Sequence, residues 1–165
     1  MKKSLLFLFL IFTINIISQA QSVSYSYRLL AAEGCTVSIT PTFVGDTAYL
    51  IVSIQSDRLV FNENPTMMVR FFNTDQLLQL SGQKISTTTS SGGVMISNVF
   101  VPITEMKSMA MFKVTDQEIE SFKLGVERIR LSTLPITHDR TFRNDKIGME
   151  LYHSYQKEKQ KAKSF

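Results

Sequence analysis

The sequence is poor in the residues that most often announce chemistry. Cys35 is its single cysteine, which excludes an intramolecular disulfide and any cage of several thiolates. Tryptophan is absent, and histidine occurs only at His138 and His153. Two histidines with fourteen residues between them do not form the i, i+4 pair of a helical zinc site, so no metal or cofactor is indicated. His138 and Asp139 are adjacent, but neighbouring side chains diverge, and adjacency is no sign of a His–Asp relay. No Gly-x-Ser-x-Gly elbow singles out a serine nucleophile, and Gly92-Gly93 lacks the Lys-Ser/Thr of a phosphate loop. The carboxylates show no spacing that selects a pair for acid–base work. No residue is assigned a catalytic role.

Charge of one sign is scarce as well. The formal net charge is +4, but Lys2 and Lys3 sit at the extreme N-terminus, and residues 157–165 hold four lysines against Glu158. Residues 21–156 carry 12 basic and 13 acidic side chains, close to neutrality. A nucleic-acid-binding domain carries a basic face on its body, so that partner class is excluded. The basic end reads as a solvated tail, with contact to anionic lipid or glycan as the alternative.

There is one long apolar run, Leu5 to Ile17, and it is short for a membrane span of roughly 20 residues. Lys2 and Lys3 precede it and Ser18-Gln19-Ala20 follows. That is the charged, apolar and small-residue order of a secretory signal, with cleavage expected between Ala20 and Gln21. The expected organisation is a signal peptide at 1–20, one β-rich domain at 21–156 and a basic tail at 157–165, with no transmembrane segment in the mature chain. Cys35 lies far beyond the apolar run, and Glu33 stands where a lipoprotein box has a small residue. It reads as a small apolar residue buried in a strand.

What the chain does have is strand pattern. Ala48, Leu50, Val52 and Ile54 alternate with Tyr49 and Ile51, apolar on both sides, as a central strand requires. Further runs cover 23–30, 35–43, 66–72, 94–101, 109–114 and 126–133. The Ser/Thr/Gly stretch 86–93 reads as a strand end plus a hairpin turn, and 94–101 and 109–114 as a second hairpin joined through 102–108. Two segments switch to helical spacing. Thr115-Asp116-Gln117-Glu118 is a capping box, with Ile119 and Phe122 on one face and Gly125 as the stop. A second helix is expected from about Asn144, with Ile147, Leu151 and Tyr155 as its buried stripe. The predicted class is α+β, mostly antiparallel β (a sandwich or strongly curved sheet), with one short inserted helix and a C-terminal helix. Seven methionines beyond Met1 are read as core packing, with an adaptable binding surface as the alternative.

Glu127-Arg128-Ile129-Arg130-Leu131-Ser132-Thr133-Leu134-Pro135, followed by Asn144-Asp145-Lys146-Ile147-Gly148 and Leu151-Tyr152, resembles small exported proteins of Bacteroidetes-type bacteria. That likeness implies a Gram-negative cell envelope and carries no chemistry with it. Arg128 and Arg130 share a strand face, and Lys113 from a neighbouring strand is expected to join them as a site for a carboxylate or acidic sugar. The expectation is an exported, periplasmic or extracellular, non-enzymatic binding or accessory protein, its partner an envelope protein, a glycan or an anionic membrane surface. The alternatives are a small secreted hydrolase whose site forms only on folding, and a peripheral envelope protein held by its basic tail.

Overall fold

In the computed structural model, residues 21–30 and 33–164 are described, so the expected leader and Ala20 lie outside them. β1 (Val23–Leu30), β2 (Glu33–Val44) and β3 (Thr47–Ser56) form an antiparallel meander. β4 (Val60–Phe61) and β5 (Thr66–Phe71) lead to two long strands, β6 (Leu77–Ile96) and β7 (Val99–Val114). α1 (Asp116–Glu120) runs into a 3-10 turn (Ser121–Leu124). β8 (Val126–Leu131), β9 (Thr133–Leu134), β10 (His138–Thr141) and α2 (Gly148–Lys163) complete the chain. Eight strands make one antiparallel sheet in the order β1-β2-β3-β7-β6-β5-β8-β10, while β4 and β9 pair separately.

The sheet is mostly antiparallel and curled, as the strand pattern predicts. Its concave side collects the alternate residues of each strand: Val37 and Ile39, Leu50 to Ile54, Met67 to Phe71, Ala110 to Val114, and Ile129 with Leu131, all buried at one position in two. β6 turns a corner at Gly82. It pairs with β5 up to Ser81 and with β7 from Gly82 onward. A Cβ at Gly82 would stand 2.6 Å from the Phe112 ring and 2.7 Å from the Met111 carbonyl oxygen, so only glycine lets the strands cross this closely.

α1 forms as its capping box predicts. Thr115 Oγ1 accepts from the Glu118 amide, and Glu118 accepts from the Thr115 amide at 2.7 Å. α2 begins at Gly148, later than expected, because Asp145 gathers the start of the helix. Its carboxylate accepts from the amides of Val126, Ile147, Gly148 and Met149 at 2.7–3.2 Å. A Cβ at Gly148 would run into the Phe122 carbonyl oxygen, so the glycine marks a close approach between α2 and the 3-10 turn. Ile147, Leu151 and Tyr155 are buried, and Tyr155 lies 5.2 Å from the Phe43 ring. The basic end is not a separate tail. α2 continues through Lys163: Lys161 pairs with Glu158 one turn away, and the docked helix carries Lys159 to Asp116 of α1.

The largest departure is in the middle of the chain. Residues 86–93 are strand, 102–108 are strand, and the reversal falls at Ser97-Asn98, inside the run expected as one strand. Both turn residues have positive φ, +47° and +65°, as a two-residue hairpin turn with right-handed strand twist demands. Gly93 pairs with Pro102 and Val94 with Val101. β6 and β7 therefore continue together beyond their neighbours as a two-stranded arm.

Candidate functional site

Three surfaces have chemistry to offer: the seam where the curled sheet meets itself, the outer face of β8, and the arm. β1 and β10 are the two ends of the sheet, and side chains join them where no ladder does. The Tyr25 hydroxyl lies 2.9 Å from Nε2 of His138, and the Tyr27 hydroxyl 2.5 Å from Nδ1. A neutral imidazole has one N–H and one lone pair, so one phenol donates to the ring and the other accepts from it. The His138 backbone amide donates to Thr133 Oγ1 at 2.9 Å. His138 is fully buried, and burial pushes its pKa down to about 4 despite the nearby Asp139 carboxylate. Both ring nitrogens are engaged inside the fold, which leaves His138 neither a base for a substrate nor a metal ligand.

Cys35 faces Tyr27 across β1 and β2 and is buried, as its strand setting predicts. Burial pushes its thiol up, away from the reactive thiolate, and burial likewise raises both tyrosines. The Arg140 guanidinium lies 5.1 Å from the centre of the Tyr27 ring.

Outside this clasp the seam opens into a cavity of ≈ 690 Å³. Ser24, Tyr25 and Ser26 of β1 form one wall, and Arg140 with Thr141 of β10 the other. The segment that leads to α2 closes the end with Phe142, Arg143, Asn144, Lys146 and Ile147. Tyr25 and Phe142 meet edge to face at 5.1 Å. The lining holds three cations and no carboxylate. Asp145 and Asp139, the nearest acids in sequence, both point elsewhere. Burial alone would raise the Asp145 carboxyl, but its four backbone amides outweigh that and hold it below the ordinary value.

Asp139 belongs to the outer face of β8. Arg128 grips it bidentately at 2.7 and 2.6 Å, and Arg130 reaches it at 2.9 Å through Nε. The Arg128 hydrogen bonds hold the Asp139 carboxyl below its usual range, with Arg130 adding to the effect. Arg128 and Arg130 thus share a face, as expected, beside a shallow hollow of ≈ 320 Å³ that includes Arg70 and Leu77. Lys113 does not join them. It sits on β7, with β6 and β5 between it and β8. Arg70, cross-strand from Arg128, takes that place. The spacing of strands in the sheet, which no local pattern encodes, decides this.

The arm is the third surface. From Ile85 to Thr104 there is no charged residue. Val94, Met95, Ile96, Val99, Phe100, Val101 and Ile103 are all exposed, Phe100 by 61 % and Met95 by 64 %. Neither histidine lies near it: His153 is exposed on α2, its ring 5.6 Å from that of Tyr152.

Among the described residues no three His, Cys, Asp or Glu side chains are grouped to hold a metal ion, and no helix is long and apolar enough to cross a membrane. No family model, no curated protein and no solved structure matches the chain. Sequence reasoning missed both the His138 clasp and the arm. The clasp joins residues 111 and 113 positions apart, and only the uncharged stretch 85–104 was a legible sign of the arm.

Proposed function

We propose that this chain is an exported, non-enzymatic binding protein of a Gram-negative cell envelope that grips its partner with the β6–β7 arm. One observation carries the reading: a two-stranded ribbon extends past the sheet with a tip that is apolar on both faces and uncharged for twenty residues. Its tip adds no residue to the buried core. Apolar tip residues exposed to water on a monomer are a cost unless a second surface covers them. The free edge of β6 adds unpaired backbone groups, while Pro102 removes a donor from β7, so the edge of β6 is the better one for a partner strand. The saturated ring of His138 and the protonated, buried thiol of Cys35 favour binding over the hydrolase alternative. The pairing of Lys159 and Lys161 within the fold weighs against a free basic tail as the anchor.

The leader supports export, and N-terminal sequencing of the protein recovered from the envelope fraction tests that part. The reading expects a start at Gln21; retention of residues 1–20 would contradict it. For the arm, Met95→Ser with Phe100→Ser is compared with the unaltered chain on a sizing column of gently extracted envelopes. The unaltered chain is expected in a complex larger than the monomer, and the double variant as free monomer. Two identical monomer peaks would refute the arm as the gripping element.

A further inference from the structure

We propose that the cavity at the open seam between β1 and β10 is a second binding site, and that it takes an acidic oligosaccharide of the uronate class. Its charge is the first reason. Arg140, Arg143 and Lys146 converge on one hollow of a body whose net charge is near zero. Neither Arg143 nor Lys146 forms an ion pair among the described residues. The two acids that would neutralise them are drawn away, Asp139 to Arg128 and Arg130, and Asp145 to the amides at the start of α2. Unneutralised cations around one hollow repel each other and are eased by a bound anion.

Volume is the second reason. At ≈ 690 Å³ the cavity holds on the order of twenty waters at about 30 Å³ each, far more than one inorganic anion fills. It matches the size of sites that enclose an extended small ligand. The lining chemistry then chooses the class. Tyr25 and Phe142 are half-buried aromatic rings against which a sugar face packs. Ser24, Thr141 and Asn144 offer exposed hydroxyl and amide groups suited to ring hydroxyls. The guanidinium of Arg143 presents the fork that matches a carboxylate. An acidic peptide would instead be expected to add as a strand, and β10 has only four residues of edge to offer it.

Calorimetric titration of the purified chain with tri-galacturonate tests the proposal, against the neutral galactose trimer, inorganic phosphate and triglutamate. The uronate trimer is expected to bind, and the neutral trimer not at all. Phosphate and triglutamate should bind at least about tenfold more weakly, because they lack the ring face or the hydroxyls. Arg143→Gln and Lys146→Gln are each expected to weaken the uronate about tenfold, the loss of one charge-assisted contact, with the urea midpoint unchanged. The Met95→Ser, Phe100→Ser variant should bind the uronate as the unaltered chain does, which separates this site from the arm. No uronate binding, equal binding of phosphate or triglutamate, or indifference to Arg143→Gln and Lys146→Gln would each overturn the proposal.

Discussion

His138 makes the stability of the domain depend on pH in a range where few other groups act. In the fold its pKa is pushed down to about 4 by burial, whereas an unfolded histidine titrates near 6.5. Between those values the unfolded chain holds a proton that the folded chain refuses. Stability is therefore full above about pH 6.5 and is lost as pH falls toward 4. From pH 7 to pH 5 the difference in proton binding amounts to about 2 kcal/mol. The carboxylates held low by partners, Asp116, Asp139 and Asp145, stay ionised in both states across this window and add little slope. Urea unfolding at pH 7, 6 and 5 measures the effect, with His138→Gln as the control. The amide keeps one tyrosine engaged but cannot titrate. It is expected to cost on the order of 1–3 kcal/mol at pH 7, through the phenol left without a partner, and to flatten the pH dependence. A variant that keeps the full slope, or an unaltered chain with no slope, would refute a neutral His138 clasped between two tyrosines.

Three other outcomes test the packing. Leu151→Ala should destabilise by roughly 2–5 kcal/mol in urea, since Leu151 is fully buried beneath α2, whereas removal of residues 159–165 loses two partly exposed ion pairs, Lys159 with Asp116 and Lys161 with Glu158, and should cost no more than about 1–2 kcal/mol. Asp145→Ala strands four amides around the start of α2 and should cost at least about 2 kcal/mol, seen as a lower midpoint with an unchanged slope in urea. Gly82→Ala forces a methyl against Phe112 and the Met111 carbonyl and should lower thermal stability by about 1–3 kcal/mol; a neutral result would refute the close approach of β6 and β7 at this corner.

The parts of the fold legible in the sequence are those written in local pattern. The alternation through β3, the capping box at Thr115 and the stripe Ile147-Leu151-Tyr155 are signals a few residues long, and each appears where it was expected. The arm is not written this way. Ser86 to Gly93 has the composition of a turn, and it is strand because β7 supplies its hydrogen bonds. Ser97-Asn98, the actual turn, carries no glycine to advertise it. Asn144 and Asp145 look like helix starters, yet Asp145 acts three residues ahead of α2 and also ties down β8. Of the candidate basic site, the shared face of Arg128 and Arg130 follows from period two, but strand order separates Lys113 from it and brings Arg70 in. The seam was out of reach altogether: it exists only because the sheet curls until its first and last strands meet.

A photo-crosslinking phenylalanine analogue at position 100 reports whether the arm touches a partner in the cell. It is introduced into the producing cells, with the same analogue at position 150, on the exposed side of α2, as the control. The account predicts a discrete adduct from position 100, lost when Met95→Ser is added, and none from position 150. Adducts of the same pattern from both positions, or none from either, would contradict an arm that grips a partner.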